Sequence, residues 1–90
     1  MSDVAREVRI INQRGLHARA SAKFVNLAAG LSAKIEVEKD GNKVVGTSIM
    51  GLMMLGAAMG DDITISARGD GAESALSAMT GLVEDRFGED

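Results

Sequence analysis

Ninety residues leave room for one hydrophobic core and none for a separate substrate-binding domain, so residues 1–90 are expected to be a single domain acting through its surface. Ten Lys and Arg against 13 Asp and Glu give a net charge of −3, which argues against nucleic-acid binding and attachment to an anionic membrane. With no Cys, Trp or Tyr, two Phe and a single His, the chain lacks the means for disulfides, zinc-thiolate sites, a thiolate nucleophile or aromatic stacking on bases.

The opening MSDVAREVRI lacks the basic and apolar regions of a secretory signal. No apolar run approaches the roughly 20 residues of a membrane span, so a cytoplasmic location without membrane insertion is expected. From Val4 to Ile11, Val8 and Ile10 alternate with Glu7 and Arg9, the period-two pattern of a strand with one wet face. Asn12-Gln13-Arg14-Gly15 reads as a connection, and from Ala18 the residues Ala20, Phe24, Leu27, Ala28 and Leu31 recur at helical spacing. Gly30 stands where a helix-ending C′ glycine is expected.

Ala33 to Lys39 alternates again and meets Asp40-Gly41, a dipeptide suited to a two-residue hairpin turn, with Lys43 to Gly46 as the return strand. Thr47 and Ser48 are both N-cap types and precede a short, very apolar helix containing Ile49, Met50, Leu52, Met53, Met54 and Leu55. After a connection from Gly56 to Asp62, Ile63, Ile65 and Ala67 mark a fourth strand, broken by Gly69-Asp70-Gly71. One face of a terminal helix carries Ala72, Ala75, Leu76, Met79, Leu82, Val83 and Phe87, and Gly88-Glu89-Asp90 is expected to fray. The order βαββαβα predicts an α+β fold: a single antiparallel four-stranded sheet with three helices on one face and water on the other.

The only histidine, His17, falls at the junction between the first strand and first helix. The first N–H groups of a helix lack intrahelical partners and carry partial positive charge, so Ala18 and Arg19 mark a place suited to an anion. Arg19 is a cation placed against the helix dipole, which makes sense if its guanidinium faces an anion such as a phosphoryl group. Spacing alone leaves two readings open, a capping or solvated histidine and a nucleophilic one. No acidic cluster near His17 completes a metal site, and Ser21 is the only hydroxyl close to it in sequence, so neither a metal centre nor a Ser-His-Asp triad is indicated.

Gly15-Leu16-His17-Ala18-Arg19, followed some thirty residues later by Thr47-Ser48-Ile49-Met50-Gly51-Leu52-Met53-Met54-Leu55, resembles the HPr family, the histidine-containing phosphocarriers of the phosphoenolpyruvate-dependent phosphotransferase system. The resemblance extends over essentially the whole chain. It implies an open-faced sandwich in which His17 accepts a phosphoryl group on Nδ1 from phospho-enzyme I and passes it to a IIA-type acceptor, with Arg19 stabilising the phosphate. Such a chain is a phosphoryl-transfer cosubstrate more than a stand-alone enzyme, a monomer needing no metal or organic cofactor of its own. Ala20 departs from the family, in which proline commonly follows the arginine, and Asn26 and Ala29 occupy positions often basic in sugar-transport members.

Four of the six methionines, Met50, Met53, Met54 and Met59, lie in one short segment, where they serve either as core filler or as an adaptable surface. The resemblance implies a docking surface for donor and acceptors that takes in Ala22, Ile49, Met50, Met53 and Gly56. It also implies that Ser48, in the plainer reading an N-cap, is a regulatory phosphorylation site for an HPr kinase/phosphorylase. A phosphate there is tolerated by the helix start and would act by charging an apolar surface. The competing reading is a regulatory protein-binding module, of the nitrogen-related phosphotransferase branch or under kinase control, whose output is protein regulation and not sugar transport. A hydrolase using His17 as base finds no second catalytic group.

Overall fold

A computed structural model describes residues 3–89. Its elements are β1 (Asp3–Arg9), α1 (Ala18–Ala29), β2 (Lys34–Lys39), β3 (Asn42–Val45), α2 (Ile49–Met54), β4 (Asp62–Arg68) and α3 (Ala72–Glu84), closed by a 3₁₀ turn at Arg86–Gly88. The strands form one antiparallel sheet in the order β1-β4-β2-β3. Register follows from alternation, because a slip of one residue would turn every apolar side chain toward water. Val8 lies opposite Ile63, Val37 opposite Ile65 and Ile35 opposite Ala67, and all six are buried. Their neighbours Glu36 and Arg68, and Arg9 and Asp62, form ion pairs at 3.5 and 3.1 Å on the open face. The expected α+β open-faced sandwich is the observed one.

The core fills from the helices. Ala20, Phe24 and Ala28 of α1, Leu52 of α2, and Ala75, Met79 and Val83 of α3 are buried with the apolar strand residues. Helix α3 packs on β1, β4 and β2, α1 packs against α3, and α2 is wedged against α1 and β3. The β2–β3 hairpin turns on Asp40 (φ 52°) and Gly41 (φ 82°), the two positive φ values that a two-residue turn of this hand requires.

Three local expectations are corrected. Gly30 caps α1 in a right-handed conformation (φ −85°), its N–H bonding the carbonyls of Leu27 and Ala28, so the helix ends without a left-handed residue. Phe87 is buried as expected, but α3 stops at Glu84, and Arg86 and Phe87 turn back with φ of 56° and 54°. Consequently Gly88 and Glu89 do not fray. The turn is held by Phe87 in the core and by Lys23 Nζ donating to its carbonyl at 2.7 Å, and it brings Glu89 across to the start of α1. Asp90 lies outside the described residues.

Candidate functional site

The segment before α1 is shaped by a glycine. Gly15 has φ +62°, and a Cβ there would overlap the carbonyl oxygen of Ala57. The same carbonyl accepts the N–H of Leu16 at 2.9 Å, so the loop after α2 fixes the residue that precedes His17. Leu16 is buried, and its own carbonyl accepts the hydroxyl of buried Ser21 at 3.1 Å. His17 emerges from this clamp as the N-cap of α1, in an extended conformation, and its carbonyl takes the helix's first backbone bond from Ser21.

Both imidazole nitrogens are engaged. Nδ1 accepts the backbone N–H of Arg19 at 3.3 Å, and Nε2 lies 2.6 Å from Oε2 of Glu89. Since a backbone N–H can only donate and a carboxylate can only accept, these contacts match one neutral tautomer, with the lone pair on Nδ1 and the proton on Nε2. The Nδ1 edge faces the amides of the first helical turn. Those of Ala18, Arg19 and Ala20 precede the first intrahelical bond; the N–H of Arg19 is spent on Nδ1, and those of Ala18 and Ala20 are available to an anion. Side-chain exposure is 16% at His17 and 18% at Glu89, so the ring is more covered than a purely solvated junction residue.

Asn12 completes the arrangement. Its side-chain amide donates to the carbonyl of Gly15 at 2.9 Å and to Oε1 of Glu89 at 3.1 Å. Reversing the amide would set its oxygen against two acceptors, so its orientation is determined. Among the described residues the buried polar side chains are Asn12, Ser21 and Thr80, and the first two belong to this site. Oδ1 of Asn12 is buried without a partner among the described residues, the cost of spending both amide hydrogens on the loop and on Glu89. Burial pushes the Glu89 carboxyl upward, but hydrogen bonds from Asn12 and His17, with the nearby charge of Lys23, outweigh it and hold the group below the usual carboxylate range.

The other expected site residues fall into two groups. Arg19 sits in the first turn of α1 with an exposed side chain, and among the described residues no carboxylate pairs with it. Ser48 caps α2, its Oγ accepting the N–H of Gly51 at 3.0 Å. Ile49, Met50, Met53 and Gly56 are exposed, and Met50 keeps 69% of its surface, so these positions are not core filler. Ala22 is half-buried on α1, the helix against which α2 packs. Asn12 and Glu89 escaped the sequence reading. The first looks like an ordinary turn residue, and the second is separated from His17 by 72 positions. The only local signal was the Phe87-Gly88 pair, an apolar anchor followed by a turn residue.

A family model described as the PTS HPr component phosphorylation site matches residues 4–85. The chain is 42% identical over 84 residues to phosphocarrier protein HPr of Cupriavidus necator, covering 93% of this chain and 94% of that protein. It is 39% identical over 89 residues to phosphocarrier protein NPr of Shewanella violacea, covering 99% and 98%. The crystal structure of HPr-C-His from Thermoanaerobacter tengcongensis superposes with a TM-score of 0.89 at 46% identity, covering 100% of this chain and 99% of that one. With this fold and this extent of likeness, the chain belongs to the HPr family of phosphotransferase-system phosphocarriers.

Proposed function

We propose that His17 is the phosphoryl acceptor, taking the group on Nδ1 from phospho-enzyme I and yielding it to a IIA-type protein, the ninety residues acting as one carrier unit. The observation that carries this reading is the pairing of the two ring nitrogens: Nε2 is tied to Glu89 at 2.6 Å, while the Nδ1 lone pair points at the start of α1 and takes only the long 3.3 Å bond from the N–H of Arg19, which it gives up when phosphorus arrives. The Nδ1 lone pair attacks phosphorus as the donor's N–P bond breaks, and that bond's electron pair returns to the donor imidazole. Such a loose transition state asks the protein chiefly for alignment and positive charge. The N–H groups of Ala18 and Arg19 supply charge at the helix start, and the exposed guanidinium of Arg19 is free to swing onto the phosphoryl oxygens.

Ile49, Met50, Met53, Gly56 and Ala22 form the docking surface in this reading, since an exposed, flexible methionine surface adapts to donor and acceptor in turn. Ser48 stands at the start of the same helix, and its phosphorylation by an HPr kinase/phosphorylase would place about −1.5 to −2 charges beside that surface. The carrier works as a cytoplasmic monomer without metal or organic cofactor. Its output, sugar transport or nitrogen-related regulation, depends on the acceptor it meets. The test is intact-mass analysis after incubation with enzyme I and phosphoenolpyruvate. One acid-labile phosphoryl group on the natural chain and none on His17→Ala is expected; equal labelling of both would remove His17 from this role.

A further inference from the structure

We propose that Glu89 is a positioning residue for phosphoryl transfer, holding the proton on Nε2 of His17 so that Nδ1 alone is nucleophilic; this rests on the phosphocarrier reading above. Three observations combine. The carboxylate meets Nε2 at 2.6 Å, a charge-assisted distance, and both partners are largely shielded from water. Its other oxygen is held by Asn12, whose buried amide also grips the carbonyl of Gly15, two residues ahead of His17. Finally, the segment carrying Glu89 is anchored by buried Phe87 and by Lys23, so the carboxylate is delivered by a fixed turn.

Chemically, the arrangement does two things. In the resting protein it selects the tautomer and turns the ring so that Nδ1 faces the start of α1. When Nδ1 forms its bond to phosphorus, Nε2 keeps its proton and the ring becomes cationic, with the Glu89 carboxylate as adjacent counter-charge. On departure the N–P electron pair returns to Nδ1 and the Nε2 proton stays where it was. No proton has to move in either half of the cycle. A cationic ring is also the better leaving group, so Glu89 favours release as well as acceptance.

The experiment compares the natural chain with Glu89→Ala and Glu89→Gln. Imidazole ¹⁵N and ¹H NMR is recorded without any partner, and phosphoryl uptake from phospho-enzyme I is timed. The natural chain should show a downfield, slowly exchanging Nε2 proton; Glu89→Ala should lose it, and Glu89→Gln, which keeps an acceptor without the charge, should retain it in part. Uptake should slow about tenfold in Glu89→Ala, the lower end of the range seen when an outer-shell partner of a metal-bound histidine is removed, with a cooperative melt that stays above the assay temperature excluding loss of fold. A natural chain without the protected Nε2 proton, or a Glu89→Ala chain with unaltered uptake, would overturn the proposal. The NMR arm needs no phosphoryl donor, so a protected proton in a chain that enzyme I fails to phosphorylate would count against the carrier reading while supporting the Glu89–His17 tie.

Discussion

At the scale of single residues, His17 is held by one local contact, the N–H of Arg19 on Nδ1, and by Glu89, which only the fold brings to Nε2. Arg19→Ala is expected to slow phosphoryl uptake about tenfold, the kinetic equivalent of losing one modest charge-assisted hydrogen bond, and to leave folding unchanged because the side chain is exposed. Stopped-flow transfer kinetics beside a thermal melt would check both halves; loss of stability with unchanged kinetics would assign Arg19 to the fold instead. The Glu89 carboxyl offers a second check. A carboxyl whose folded-state pKa lies below its unfolded value contributes stability above the unfolded value and loses it as pH falls through the folded one. The contact with Asn12 and His17 therefore holds at neutral pH and gives way only below the usual carboxylate range. Carboxyl ¹³C titration of Glu89 should show a midpoint under the ordinary glutamate value, and a midpoint above it would mean that burial outweighs the hydrogen bonds.

Among the elements, α2 is the clearest case of a sequence signal carrying through to structure. Six residues are too few to hold a helix by propensity, so it depends on its cap and on buried Leu52 packing beneath it. Ser48→Ala should remove about 1 kcal/mol by leaving the N–H of Gly51 without its oxygen. Ser48→Asp retains a cap oxygen but adds charge beside exposed Ile49 and Met50, so it should keep most of that stability while weakening association with enzyme I. Denaturant melts and titration calorimetry on the two variants separate these effects; equal loss of binding in both would attribute it to helix unwinding and not to charge. The Asp40-Gly41 hairpin was legible for the same reason as the Ser48 cap, because the turn is determined by residues adjacent in sequence. Gly30 was not. A glycine after a helix permits a left-handed cap without compelling one, and the chain instead leaves α1 through right-handed backbone.

For the molecule as a whole, strand alternation and helical periodicity were enough to predict the layers, since each apolar stripe has only one face to cover. The placement of His17 and Arg19 at the start of α1 was also legible, because Gly15 and the helix start lie within a few residues of both. What stayed hidden depends on chain reversal after α3. Continuing the helical pattern through Phe87 would carry Glu89 away from β1 and α1, whereas two positive-φ residues at 86 and 87 bring it back onto His17. Phe87→Ala is therefore expected to destabilise the protein by about 3 kcal/mol and to release Glu89 from His17, two effects that Glu89→Ala separates. Urea unfolding together with the Nε2 proton resonance would read both, and a stable Phe87→Ala variant would show that the turn is not held by its aromatic anchor.

The most direct test of His17 as the acceptor is to locate the phosphorus atom. The protein is phosphorylated by enzyme I and phosphoenolpyruvate, and ³¹P NMR is combined with ¹⁵N-labelled histidine to read which ring nitrogen couples to phosphorus. Coupling at Nδ1 of His17, with the proton retained on Nε2 beside Glu89, is the expected result. Phosphorus on Nε2, or on Ser48 with His17 unmodified, would contradict it.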